Sequence, residues 1–313
     1  MSGVMVLVIL GVFIALLFDY SNGMQDAANM LATAIASHAM TPIQAIILVS
    51  SFTFLGPIIG GTAVANTIGS FVDVSDLGNI ISLTVGVVIV AAGPGHVVWG
   101  FELTDGFHLK GVAKIVGALF LSPILGFFLG GLLHRIMVFA LRAAKPSANK
   151  YLRAFQWLTT AALAFSHGTN DAQKGMGVIA MILVLGGVSG QFYVPFWVIL
   201  ASATAITIGT LTGGWRIVRT LGFGIYKVRP IHALDAQLTS AGVILAASAL
   251  GAPVSTTQVV STAIMGVGTS ERPKSVHWGT AKHIFGTWLI TIPGAASVSI
   301  AIYGLIQLAG KFF

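Results

Sequence analysis

Two aspartates stand in nearly the same sequence context. Residues 21–29 read SNGMQDAAN and residues 166–174 read SHGTNDAQK, with Ser, Gly, Asp and Ala in register at an offset of 145 (Asp171 against Asp26). Each carboxylate lies between apolar stretches, where an ionisable group is expensive and usually faces a cavity and holds a cation or proton. Asn22, Gln25 and Asn29 surround the first; Thr169 and Asn170 flank the second. Carboxylate, amide, hydroxyl and carbonyl oxygens suit a hard cation such as Na⁺ or Mg²⁺ rather than a soft metal. The pattern predicts a cation site built from Asn22, Gln25, Asp26, Asn29, Asn170 and Asp171, with Asp26 and Asp171 as the metal ligands if the ion is Na⁺. A lone aspartate of this kind would read as a helix cap; the repetition favours a site. His167, aligned with Asn22, stands where it could shuttle a proton.

The stretch 251-GAPVSTTQVVSTA-263 offers different chemistry. Hydroxyls and free backbone N–H groups at a helix start form an anion site, and the macrodipole favours negative charge there. Ser255, Thr256, Thr257 and Gln258 follow Pro253 at such a start, so they are the predicted oxyanion-binding residues. An ordinary Ser/Thr cap after a proline turn is the competing explanation. Lys174, three residues after Asp171, could pair with that carboxylate or reach the same anion. The other histidines, among them His134 and His232, show no metal-ligand spacing.

The elements that must position these groups are apolar helices. Of 313 residues, 56% are hydrophobic and only 8% charged, against about 25% charged in soluble domains. That balance excludes a water-soluble enzyme and a disordered chain, and makes this an integral membrane protein. The absence of cysteine excludes disulfides and thiolate chemistry. Apolar runs at 4–18, 27–39, 43–59, 77–92, 112–139, 155–165, 176–185, 194–211, 238–250, 259–267 and 284–308 do not alternate, so helices and not a barrel are expected. Several are too short to span alone and read as broken or re-entrant pieces. About ten membrane segments result.

A net charge of +7 suggests nucleic acid only until its placement is read. No Lys or Arg precedes Lys110, and the bases then fall in loop-sized groups, which mark topology and not a nucleic-acid surface. The basic stretch 142–153 divides a first repeat (1–141) from a second (154–313) and is expected to be cytoplasmic. A second repeated pair, GGTAVANTIG at 60–69 and GGWRIVRTLG at 213–222, has an offset of 153. The basic loop after Gly213 should lie inside and the acidic Asp73–Asp76 loop outside. Equivalent segments on opposite sides mean two inverted-topology repeats, as in many secondary transporters. The expected fold is an all-α polytopic membrane protein of this kind, in the plasma or inner membrane.

On 22-NGMQDAAN-29, 167-HGTNDAQK-174, 59-IGGTAVANTIG-69 and 252-APVSTTQ-258, the chain resembles the inorganic phosphate transporter (PiT) family over nearly its whole length. The resemblance implies an inverted-repeat fold, homodimeric, that moves inorganic phosphate with Na⁺ or H⁺ and uses no other cofactor. It implies that Asn22, Asp26, Asn29, Asn170 and Asp171 hold cations and that Ser255, Thr256 and Thr257 help hold phosphate. The chain departs from the pattern at Gln25 and at Gln258, which replaces a histidine; losing that titratable group leans the coupling towards Na⁺. The first half also lacks a Pro-Ser-Ser-Ser-Ser-His segment, leaving 93-GPGHVVWGF-101 in its place. The expected partners are phosphate, a coupling cation and the lipid bilayer. Within the class the alternative is sulfate. Outside it are a non-transporting oxyanion-binding relative and, with no nucleophile–base arrangement to support it, a membrane hydrolase.

Overall fold

A computed structural model describes residues 3–70, 98, 100–102, 108–213, 218 and 228–309. Among these, nine α-helices carry the architecture: α1 (Gly3–Ala36), α2 (Pro42–Ile59), α3 (Ala63–Gly69), α4 (Gly111–Ala140), α5 (Ala148–Leu185), α6 (Phe196–Thr212), α7 (Pro230–Ala249), α8 (Thr256–Glu271) and α9 (Trp278–Ala309). A two-residue antiparallel pairing, Phe101–Glu102 with His108–Leu109, precedes α4. Local chemistry sets several ends. Thr41 and Gln44 close a capping box around Pro42 at the start of α2. Ser255 caps α8 by accepting from the Gln258 N–H, and Gly251, at φ +64°, makes the turn between α7 and α8.

Apolar side chains are turned outward and polar ones inward. Phe13, Ile14, Phe128, Phe139, Leu289 and Ile290 are exposed, whereas Gln156, Thr160, His167, Asn170, Asp171 and Gln173 of α5 are fully buried. Buried hydrogen bonds tie α5 to its neighbours: Thr159 donates to Gln237 Oε1 (2.5 Å), the Gln237 amide to Thr33 Oγ1 (2.9 Å) and Ser37 to Gln156 Oε1 (2.6 Å). This is the arrangement of a protein whose solvent is lipid. Among the described residues, α1, α2, α4 and the 278–304 part of α9 are long and apolar enough to cross a membrane. Polar residues set α5 and α7 apart from these, and α6 and α8 are short, at 17 and 16 residues. Four of the expected ten segments are thus found among the described residues.

The structure revises where the chain breaks. Both aspartate signatures sit inside unbroken helices, α1 and α5, although the apolar runs on either side of each read as separate pieces. The interruptions lie instead at Gly60–Thr62, between α2 and α3, and at Leu250–Ser255, between α7 and α8. The divider 142–153 is loop only to Ser147, after which α5 begins. The Asp73–Asp76 loop, the apolar run at 77–92, most of 93–101 and most of the basic loop at 214–227 lie outside the described residues.

Four glycines let the halves clasp each other. A Cβ at Gly23 would lie 2.0 Å from the Ile206 carbonyl oxygen, and one at Gly209 would lie 2.0 Å from the Tyr20 oxygen and 2.9 Å from the Met24 nitrogen. A Cβ at Gly168 would lie 2.3 Å from the Thr53 oxygen, and one at Gly56 would lie 2.4 Å from the Phe165 oxygen and 2.7 Å from the Thr169 nitrogen. Gly23 matches Gly168 by the first repeat offset, as Tyr20 matches Phe165 and Met24 matches Thr169. Gly56 matches Gly209 by the second, as Thr53 matches Ile206. Thus α1 crosses α6 through the same atoms with which α5 crosses α2. A contact that is reciprocated in this way is what a two-fold relation produces. A third close crossing joins α4 and α8 through Gly126, Gly130 and Gly266, the small-residue packing expected between membrane helices.

These crossings admit no side chain. Gly56→Ala and Gly209→Ala should each destabilise the protein by about 1–3 kcal/mol, seen as a lower unfolding temperature in detergent. Gly279→Ala, with open space around it, should leave that temperature unchanged.

Candidate functional site

The two aspartates, a long way apart in sequence, meet at the first turn of α8. Thr256 Oγ1 lies 2.9 Å from Asp171 Oδ2 and 3.3 Å from Asp26 Oδ2. Thr257 donates to Asp26 Oδ1 (2.6 Å), and the Asn29 amide donates to Asp26 Oδ1 (2.9 Å) and to Thr257 Oγ1 (2.8 Å). His167 Nδ1 lies 2.9 Å from Asp171 Oδ2 and 3.3 Å from Thr256 Oγ1. Lys174 pairs with Asp171 Oδ1 and donates to the Val254 carbonyl (2.7 Å). One atom each of Asp26, His167 and Asp171 fall within 4.8 Å of one another, close enough to share an ion. A single hydroxyl proton on Thr256 cannot satisfy both carboxylates at once, and the buried Asn22 Oδ1, Asn29 Oδ1 and His167 Nε2 have no hydrogen-bond partner. The donor set is hard oxygen with one imidazole, which fits Na⁺ or a proton and not a soft metal.

A cavity of about 580 Å³ opens onto this cluster. Its polar wall is Asn22, Asp26, Lys174, Ser255 and Thr256, completed by Thr291; Phe18, Ile68, Ile115, Leu119 and Val178 make the apolar side. The α8 N-terminus therefore faces the same space as Asp26 and Lys174. With both carboxylates ionised, Lys174 charged and His167 neutral, the cluster carries one net negative charge before any ion enters.

The predicted residues divide into three groups. Asn22, Asp26, Asn29, Asp171, Lys174, Ser255, Thr256 and Thr257 are brought together. Asn170 lies next to the cluster but is engaged elsewhere: its amide donates to Ser248 Oγ (2.9 Å) and the Ala252 carbonyl (3.2 Å), and its Oδ1 accepts from the Val254 N–H (3.1 Å). It braces the bend between α7 and α8. Gln25 and Gln258 are not brought in. Gln25 is exposed and bonds Ser21 (3.1 Å), and Gln258 does not line the cavity.

Some residues were not legible beforehand. Gln173 Oε1 accepts from Val64 N (2.7 Å) and Ala65 N (3.2 Å), capping α3 from the opposite half. His134 and His232, whose spacing gives no sign of a partnership, meet Glu271 at the ends of α4, α7 and α8. His134 Nδ1 lies 2.8 Å from Asp235 Oδ2, and Glu271 also engages Arg229. The Arg229 N–H can only donate to His232 Nδ1 (3.1 Å), so His232 keeps its proton on Nε2 and passes it towards Glu271. In that tautomer the group ties three helix ends together.

Comparison with known proteins gives the family and the fold. The model of the phosphate transporter family matches residues 22–78 and 71–299. The chain is 37% identical over 332 residues to a probable low-affinity inorganic phosphate transporter of Bacillus subtilis (strain 168), covering 98% of this chain and 99% of that protein. It is 36% identical over 314 residues to a protein of the same description from Rhizobium meliloti (strain 1021), covering 93% of each. A solved structure, the sodium-dependent phosphate transporter, superposes with a TM-score of 0.82 at 22% identity over 96% of this chain and 99% of that one, and so shares the fold. The chain belongs to the phosphate transporter family; it is a membrane protein of a transporter family and not an enzyme.

Removing the Asn170 side chain strips partners from buried groups of the α7–α8 bend. Asn170→Ala should cost about 1–3 kcal/mol in thermal unfolding with no cation or phosphate present, which separates a bracing role from a ligand role.

Proposed function

We propose that the chain imports inorganic phosphate across the cell membrane by symport with Na⁺. The observation that carries this reading is Thr256. It touches both repeated aspartates and also lines the cavity, so a cation at Asp26 and Asp171 and an anion at the α8 N-terminus share one residue. Phosphate would sit against Ser255 and Thr256, with Lys174 alongside, held by hydroxyls, backbone N–H groups and the helix dipole. Asp26, Asp171 and Asn29 would supply oxygens to Na⁺. The order of binding follows from charge: the net negative cluster repels phosphate until a cation has entered, and the cation then attracts it. Coupling is that attraction.

Asp26 on the cavity wall favours phosphate over sulfate, because a protonated phosphate can donate to a carboxylate and sulfate has no proton to give. Oxygen-rich surroundings favour Na⁺ over H⁺. The reciprocal glycine crossings, together with the charge distribution, support two inverted repeats that rock about the midplane site, with the basic 142–153 stretch cytoplasmic. Location in the plasma or inner membrane and a homodimeric state rest on the family resemblance.

Uptake of labelled phosphate into proteoliposomes tests the reading. An inward Na⁺ gradient should drive uptake, and excess sulfate should leave it standing. Asp26→Asn and Asp171→Asn should each reduce it by about 100-fold, the loss of about 3 kcal/mol from breaking a buried charged cluster. Unchanged uptake in Asp171→Asn would remove that residue from the site, and uptake that follows a pH gradient while ignoring Na⁺ would replace the cation.

A further inference from the structure

Seven residues before Asp26 on α1, about 10 Å along the helix axis, stands a third acidic side chain that this cation site does not use. Asp19 is fully buried where α1 meets α5 and α6. Neither of its carboxylate oxygens has a hydrogen-bond partner. On α5, Gly175 lies so close that a Cβ there would stand 2.2 Å from both oxygens. On α6, Ser202 turns a buried hydroxyl towards it, a neutral donor that offsets part of the cost of burial and none of the charge. The charged groups that act on it are Asp171 and Lys174, both on α5, and Lys174 is already engaged by Asp171 and the Val254 carbonyl. A buried carboxylate with no cation of its own is neutralised by taking up a positive charge.

The two-fold relation between the halves supplies a comparison inside the same molecule. By the repeat offsets, Asp19 corresponds to Ala164, Gly175 to Met30 and Ser202 to Val49. Those three are apolar and buried, and Met30 fills the space with its thioether against the Thr53 hydroxyl (3.9 Å). The same crossing is therefore closed in the other half by ordinary packing. Holding the helices together does not require an acid at this position; binding an ion does.

We propose that Asp19, with Ser202, holds a monovalent cation, Na⁺ or H⁺, in addition to the one at Asp26 and Asp171. A single unpaired carboxylate is neutralised by one positive charge, whereas a divalent ion would leave the pocket as charged as before. The proposal extends the transport reading and rests on it for its consequence, an additional cation moved with each phosphate.

The test counts ions on the purified full-length chain. Radiolabelled Na⁺ is bound at equilibrium in detergent to the wild type, to Asp19→Asn, and to Asp19→Ala/Ser202→Val, which copies the apolar crossing of the other half. One Na⁺ fewer per chain in both variants is the result expected for a Na⁺ site. For a proton site the Na⁺ count stays the same, and phosphate uptake into lightly buffered proteoliposomes carries one proton fewer. Both counts unchanged would overturn the proposal. So would a double variant that unfolds at a lower temperature than the wild type, because the acid would then be a structural part of the crossing. A wild type that loses one Na⁺ on Asp19→Asn yet moves no phosphate would refute the transport reading and leave this site standing.

Discussion

Negative charge inside a lipid-solvated protein needs a counter-charge, and the packing around α8 is organised by that need. Asp26 and Asp171 come from different halves and would repel each other if simply brought together. What holds them at one place is the first turn of α8, whose Thr256 and Thr257 hydroxyls, with Asn29, His167 and Lys174, supply donors to every side of the pair. The bend that presents this turn is in turn held by Asn170 and by Gly251. A residue from one aspartate signature thus supports the helix start on which both aspartates converge. With both acids ionised, Lys174 charged and His167 neutral, the cluster is one positive charge short, and that deficit is the physical content of cation coupling in the proposed cycle.

Close approach of backbones makes the convergence geometrically attainable. At the α1–α6 and α2–α5 crossings, carbonyl oxygens come within reach of glycine Cα atoms, so signature residues on α1 and α5 are carried close to the middle of the molecule. Glycine is costly in helix interiors, and it stands at these four positions because no other residue fits. The interior so formed is polar. Gln156, Gln237, Thr33, Thr159 and Ser37 bond one another across α1, α5 and α7, which satisfies groups that lipid could not.

The residues that meet at the start of α8 were largely legible because the duplication placed Asp26 and Asp171 in register and because Pro253 and Ser255 announce a helix start. The family pattern added the expectation that these belong together. Three things were not legible. Asn170 and Asn29 look alike as amides beside an acid, yet only the three-dimensional course of the α7–α8 bend assigns one to bracing and the other to the cluster. Gln25 faces outward, because a helix turns 100° per residue and the residue next to Asp26 leaves its face. The signatures were expected to interrupt their helices, since polar residues split the apolar runs. Buried donors and acceptors from neighbouring helices instead let α1 and α5 continue through them.

Symmetry and chemistry part company in this molecule. The crossings repeat atom for atom between the halves, whereas the groups around the paired aspartates do not: Asn29 corresponds to Lys174, and Asp19 corresponds to Ala164. A chain whose halves exchange conformations benefits from matched crossings, because equivalent packing keeps the two end states close in energy and leaves the bound ions to decide between them. A matched set of charges would serve less well. With Asn in place of Lys174 the central cluster would carry two net negative charges instead of one, and a second acid at position 164 would add another at a crossing that packing already closes. In the proposed cycle the asymmetry keeps the deficit small enough for a few monovalent cations to cancel, which is the condition under which an anion would enter the same space.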